Sequence, residues 1–201
     1  MRADRFSDET KSDEKLAELI LYVSRECQKD EKFGATKLNK ILFYADFFSY
    51  RQFGHAITGQ EYQHIKNGPA PKRLKPVREA LIAKGDLALQ TVTYFTQSQT
   101  RTIALRDPYL SFFEADEIAI VDRVIRELWN KNASEVSDLS HQFIGWRLAE
   151  DREVIPYDLA LISEELPEED EIEFGQALDT LAKQCLSVML IRIPSNHFLH
   201  C

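Results

Sequence analysis

Lys37-Leu38-Asn39-Lys40-Ile41-Leu42-Phe43-Tyr44-Ala45-Asp46 is the stretch on which the fold turns. Leu38, Ile41, Leu42, Ala45 and Phe48 recur at the spacing that gathers side chains on one face of a helix. The helix starts after Thr36, a residue of capping type, and ends by Gly54. Further on, Ile57 to Lys66 shortens its period and reads as a strand, with Ile57, Tyr62 and Ile65 among polar neighbours. Gly68-Pro69 and Pro71 then impose a turn, because proline has no amide proton and pushes the preceding residue out of helix. An apolar helix that returns through a polar strand into a Gly-Pro turn is a structural signature. It carries no reaction.

Working outward, Leu16, Leu19, Ile20, Val23 and Cys27 predict an upstream helix with Ser12 or Asp13 as N-cap, and Lys29 to Gly34 a polar loop. Downstream, Lys72 to Lys84 predicts a helix with Leu74, Val77 and Leu81 inward and Gly85 as C-cap. Leu87 to Phe95 and Arg101 to Leu105 flank the polar tip Thr96-Gln97-Ser98-Gln99, the pattern of a hairpin. Ile118, Val121, Ile125, Leu128 and Trp129 mark a fourth helix. Ser134 caps a shorter one carrying Val136, Leu139 and Phe143, followed by Trp146. Pro156 and Pro167 punctuate a loop; Phe174, Leu178, Leu181 and Cys185 suggest a last helix before an apolar tail. The expected class is mainly α with a small antiparallel β-sheet or hairpin, an α+β fold with a winged-helix-like order of elements. Its expected organisation is a flexible N-terminus over 1–12, a domain over 13–155, and an acidic loop, C-terminal helix and tail over 156–201.

A chain of 201 residues, 44% hydrophobic and 29% charged, can build a core without metal or disulfide. No run approaches a membrane span. Met1 to Lys15 mixes five acids with four bases and does not read as a signal peptide, so cytoplasm is the expectation. Cys27, Cys185 and Cys201 show no CxxC spacing, and Cys27 falls on an apolar helix face as a small hydrophobe. Seven of the net eight negative charges sit in Glu164 to Glu173, whereas Lys66 to Lys84 sets six bases against the single acid Glu79. Bulk charge therefore says nothing about partners.

No constellation of catalysis stands out. Neither GxGxxG nor GxxxxGK[ST] occurs, so no phosphate loop and no cofactor is expected. His141 lacks a Gly-x-Ser-x-Gly or similar companion and reads as a packed histidine. His197, His200 and Cys201 have chelating spacing, but at the end of the chain a frayed tail accounts for them, and no metal is expected. The expectation is a protein that is not an enzyme. Two binding readings remain. In one, Lys72, Arg73, Lys75 and Arg78 on the basic helix, with Arg101 at the wing, neutralise the phosphates of operator DNA. In the other, Tyr44, Tyr62 and Trp146 supply the amphipathic aromatic area that protein interfaces favour, and the acidic run attracts a basic partner.

Three stretches together resemble the SocA-like antitoxin family, also called the Panacea domain. Lys37 to Ala45 is similar to the family's Lys-Leu-Gln-Lys-Leu-Leu-Tyr-Tyr-Ala helix. Glu61 to Pro69, closing on Lys66-Asn67-Gly68-Pro69, resembles its Gly-Pro turn, and Ser140-His141 with Trp146 its Thr-His…Pro-Trp element. The chain departs at Gly145, where the family tends to have proline, and at Ala70, where a branched apolar residue is common. The resemblance implies an antitoxin that neutralises a cognate protein toxin by direct contact. One branch of the family delivers its toxin to a protease, and some members belong to phages. The residues expected to meet the toxin are Tyr44, Asp46, Glu61, Lys66, Asn67, Gly68, Pro69, His141 and Trp146.

Overall fold

A computed structural model describes residues 2–94 and 97–162. Helix α1 (Arg2–Glu26) leads through a 3-10 turn (Cys27–Lys29) to α2 (Ala35–Phe53). Two short strands, β1 (Tyr62–Gln63) and β2 (Ala70–Pro71), bracket the Gly-Pro turn and precede α3 (Leu74–Lys84). The hairpin β3 (Leu87–Tyr94) and β4 (Gln97–Ala104) follows, then α4 (Ala115–Leu128), α5 (Ala133–His141) and α6 (Ile144–Leu148). The described chain closes with β5 (Val154–Ile155) and a 3-10 turn (Tyr157–Leu161). β1 is the middle strand of a small antiparallel sheet, β2-β1-β5, in which Tyr62 faces both Pro71 and Ile155. The fold is mainly helical with small antiparallel sheets, in the expected order of elements.

Helix α2 lies between two cores. Leu38, Ile41, Leu42 and Ala45 join Leu16, Leu19 and Ile20 of α1, Val77 and Leu81 of α3, and Val121, Val124 and Ile125 of α4. On its other side Phe43 and Phe47 join Tyr62, Ile155 and Ala160, with Phe143, Trp146 and Tyr157 packed around them. Phe43 meets Tyr62 and Phe143 edge-on, at centroid separations of 5.7 and 5.3 Å, the geometry the aromatic quadrupole favours. Ten of the 19 residues of α2 are buried, more than one amphipathic stripe would cover.

Burial on two sides forces polar residues of α2 inside, and each finds partners. Asp46, with no exposed surface, accepts from the Thr58 amide at 2.7 Å, from the Thr58 hydroxyl, from Tyr62 Oη at 2.7 Å and from Tyr157 Oη at 3.5 Å. It thereby ties α2 to the segment before β1 and to the turn after β5. Burial pushes its carboxyl above the usual range, and the hydrogen bonds from Thr58 and Tyr62 pull the other way. The expectation that Asp46 meets a partner is corrected: it is a structural hub. Lys37 forms a buried ion pair with Asp30 at 2.6 Å. Cys27 is buried and free, its thiol pushed up to about 12 by burial, and so inert.

Several local expectations are corrected. Ser12 lies inside α1, which begins at Arg2; it donates to Thr58 O at 2.7 Å and caps nothing. Gly34, not Thr36, is the N-cap of α2. Asn132 with Glu135 forms a capping box on α5, so Ser134 is an ordinary helical residue. The strand over 57–66 shrinks to Tyr62–Gln63, and Gln97 to Gln99 belong to β4 instead of the hairpin tip. Residues 156–162 pack into the fold through Tyr157, Leu159 and Ala160. The acidic run, the last helix, Cys185, His197, His200 and Cys201 lie outside the described residues.

Asp46→Ala leaves the Thr58 amide and the Tyr62 hydroxyl buried without an acceptor. We expect a loss of about 3 kcal/mol or more in the free energy of unfolding, measured by urea denaturation.

Candidate functional site

The turn between β1 and β2 is built by close contact with two helices. The Gly68 amide donates to Ile65 O at 2.8 Å, and Gly68 sits at φ +87° in the left-handed region. A Cβ there would fall 2.5 Å from Lys40 Nζ and closer still to Ser140 Oγ. Glycine is thus required twice, by the backbone angle and by the space. Lys40, 1% exposed, donates from Nζ to Pro69 O at 3.0 Å. No carboxylate offsets its burial, which alone pushes the amine down to about 7. From α5, Ser137 Oγ donates to Asn67 O at 3.3 Å, and Ser140 Oγ closes back on Ser137 O at 2.8 Å.

Beside the turn, the Trp146 indole is held between two imidazoles. His141 stacks on it at 3.9 Å with an interplanar angle of 18°, and His64 at 4.5 Å and 24°. Trp146 Nε1 donates to Ile65 O at 3.2 Å, so the indole is pinned to the same turn. His141 also hydrogen-bonds the Lys66 backbone; burial first, and then the Lys40 charge, lower its pKa. His64 Nδ1 and His141 Nε2 are buried without a hydrogen-bond partner. Gly145 lies where a Cβ would come 2.5 Å from the Phe143 ring and 2.9 Å from Ile155, so this position has no room for a side chain. Nothing in the structure explains Ala70.

Of the residues expected to form a surface, Lys66, Asn67, Gly68, Pro69, His141 and Trp146 come together here. Lys66 and Asn67 are exposed, whereas Gly68 and Pro69 are buried beneath them. Gly68 and Pro69, expected to fix how Lys66 and Asn67 are presented, lie inside the turn. Glu61 is exposed and accepts from Lys72 at 2.9 Å. Tyr44 is half-buried, 5.0 Å from the Phe43 ring and 5.5 Å from the exposed Phe48, with its hydroxyl pushed up to about 12 by burial. Sequence reasoning missed Lys40, His64 and Ser137. Lys40 did leave a signal, a lysine set inside an apolar run three residues after another.

Four of the five basic residues of the DNA reading have partners within the fold. Lys72 pairs with Glu61, Arg73 Nε lies 3.2 Å from both Asp13 oxygens, and Lys75 approaches Glu79 at 3.9 Å. Arg101 donates to Gln28 O at 2.9 Å, and Arg78 Nε is buried without a partner. Among the described residues no three metal-ligating side chains cluster, and no helix is long and apolar enough to cross a membrane.

Fold and site define a small helical domain whose buried polar groups position a turn at the sheet. Residues 38–147, more than half of the chain, match the model of the family described as antitoxin SocA-like, Panacea domain, and the chain belongs to that family. No curated protein and no solved structure matched it.

Two outcomes test this geometry. Gly68→Ala should cost about 2 kcal/mol more than Gly59→Ala, read from urea midpoints, because both sites have positive φ but only Gly68 lacks space. The pH dependence of stability follows from Lys40. Between about 7, its folded value, and the ordinary 10.5, the unfolded chain binds the extra proton. Stability should therefore climb with pH across that window, and Lys40→Met should flatten the climb in denaturation curves taken from pH 7 to 10.

Proposed function

We propose that this protein neutralises a cognate protein toxin by direct binding, and that it does so without catalysing a reaction. The carrying observation is that the three family motifs, separated in the sequence, meet at one turn that presents Lys66 and Asn67 to solvent. Three packed segments hold the turn, so the two side chains are offered at little ordering cost. Tyr44 and Phe48 on α2 add exposed aromatic area of the kind that anchors protein interfaces. In this reading Glu61, His141 and Trp146 support the presenting surface, and the acidic run accelerates encounter with a basic toxin. Neutralisation proceeds by occlusion or by delivery to a protease, in the cytoplasm.

Operator DNA has no specific observation in its favour, since most of its expected contacts are engaged internally. The test is recovery of the tagged protein from its host with and without nuclease. One small protein retained after nuclease, which arrests growth when expressed alone, supports the proposal. Lys66→Glu combined with Tyr44→Ala should then weaken its binding at least about tenfold in a variant that circular dichroism shows to be folded. Unchanged affinity in that folded variant would remove the surface assignment. Recovery of nuclease-sensitive DNA alone would favour the regulator.

A further inference from the structure

We propose that the Lys66–Pro69 turn is closed by a proton-dependent latch made of Lys40 and His141. Lys40 and His141 converge on this one turn, and each is poorly equipped to carry a charge there. Lys40 Nζ is covered by the turn it holds, with Pro69 O as its acceptor and Gly68 pressed against it. An uncharged amine needs no more than that. An ammonium brings three donors and a full charge into a space without a facing carboxylate, and it must draw in water or lose the contact. The His141 ring hides Nε2, which has no hydrogen-bond partner, so a protonated ring would bury an unsatisfied N–H.

The surrounding charges do not relieve this. On α2, Lys40 stands alone, since Lys37 is committed to Asp30. The turn itself contributes His64 and the exposed Lys66, both of basic type. From α5, Asp138 favours a charged His141, against the opposing fields of Lys40 and His64. On α6 the charged group is Arg147. Next to β5, Glu153 is occupied by the Glu150 amide at 2.7 Å, and at the edge of the turn Glu61 is occupied by Lys72. Stacking on Trp146 favours a charged imidazole through cation–π attraction, but it gives the buried nitrogen no acceptor. Each proton taken up makes the next costlier while the turn stays shut. Opening the turn hydrates both groups together, so acidification through neutrality shifts the population toward the open form.

The inference does not depend on the toxin reading, because both of its readouts are made on the protein alone. Hydrogen exchange at the Gly68 amide, corrected for intrinsic rate, reports turn opening, and the Lys40 side-chain carbon resonance reports its protonation. Lowering the pH from 8 to 5.5 should reduce Gly68 protection about tenfold or more, while the Val124 amide in α4 stays far better protected than Gly68 at both pH values. Lys40 should titrate near neutrality. Lys40→Met should remove most of the pH response, and His141→Phe the remainder. Gly68 protection that does not change with pH, or a Lys40 that titrates at the ordinary lysine value, overturns the latch. Should Lys40→Met not fold, the carbon titration of the unaltered protein decides by itself.

Discussion

Everything in this fold answers to one constraint: helix α2 is covered on two sides, and it carries charged residues inward. Asp46 and Lys40 both lie on the buried surface, two turns of helix apart at most, and water satisfies neither. The chain satisfies them with segments distant in sequence. Asp46 gathers Thr58, Tyr62 and Tyr157, which fixes where the chain enters β1 and where it leaves β5. Lys40 gathers Pro69, which fixes the far side of the same sheet. The three-stranded sheet contributes few hydrogen bonds of its own, with two-residue strands. It holds its place because buried polar side chains of α2 need its backbone and its hydroxyls.

This arrangement separates two kinds of residue that a motif lists side by side. Gly68, Pro69, Asp46 and Lys40 act from within, by shape, acceptor and donor. Lys66 and Asn67 stand outside, where a partner can reach them. Trp146 belongs to both layers, with its face sandwiched by imidazoles and its edge hydrogen-bonded to the turn. The uncompensated lysine adds a second property. An interior that is polar but short of counter-charge makes the turn sensitive to protons as well as to sequence.

The ion pairs outside this region do ordinary structural work. Glu18 accepts both Arg106 nitrogens and the Tyr109 amide, which fastens the loop after the hairpin to α1. Lys15 reaches Glu117 at the start of α4, and Glu117 also closes the cap of that helix. Exposed pairs on α3 such as Lys75 with Glu79 contribute little to stability, and their effect is to blunt the positive face of that helix.

Periodicity alone determined much of this protein. The apolar spacing of Leu16 to Cys27, Leu38 to Phe48, Leu74 to Leu81 and Ile118 to Leu128 placed four helices, because the burial of one stripe is a local property of the sequence. Gly54 and Gly85 marked helix ends for a similarly local reason, the left-handed backbone at a C-cap. The order of the three motif stretches sufficed for the family. What they do could not be read in the same way. Asp46 and Lys66 are both charged residues of short motifs, yet one is wholly buried and the other exposed. His64 lay inside the second stretch without a role assigned to it, and ended against Trp146. Caps were misplaced by two residues at Ser134 and Thr36, since Asn132 with Glu135 forms the capping box of α5 and Gly34 starts α2 with no side-chain cap bond. Only tertiary structure could decide these points, since whether a polar side chain faces water or a distant backbone carbonyl depends on which segments pack across it.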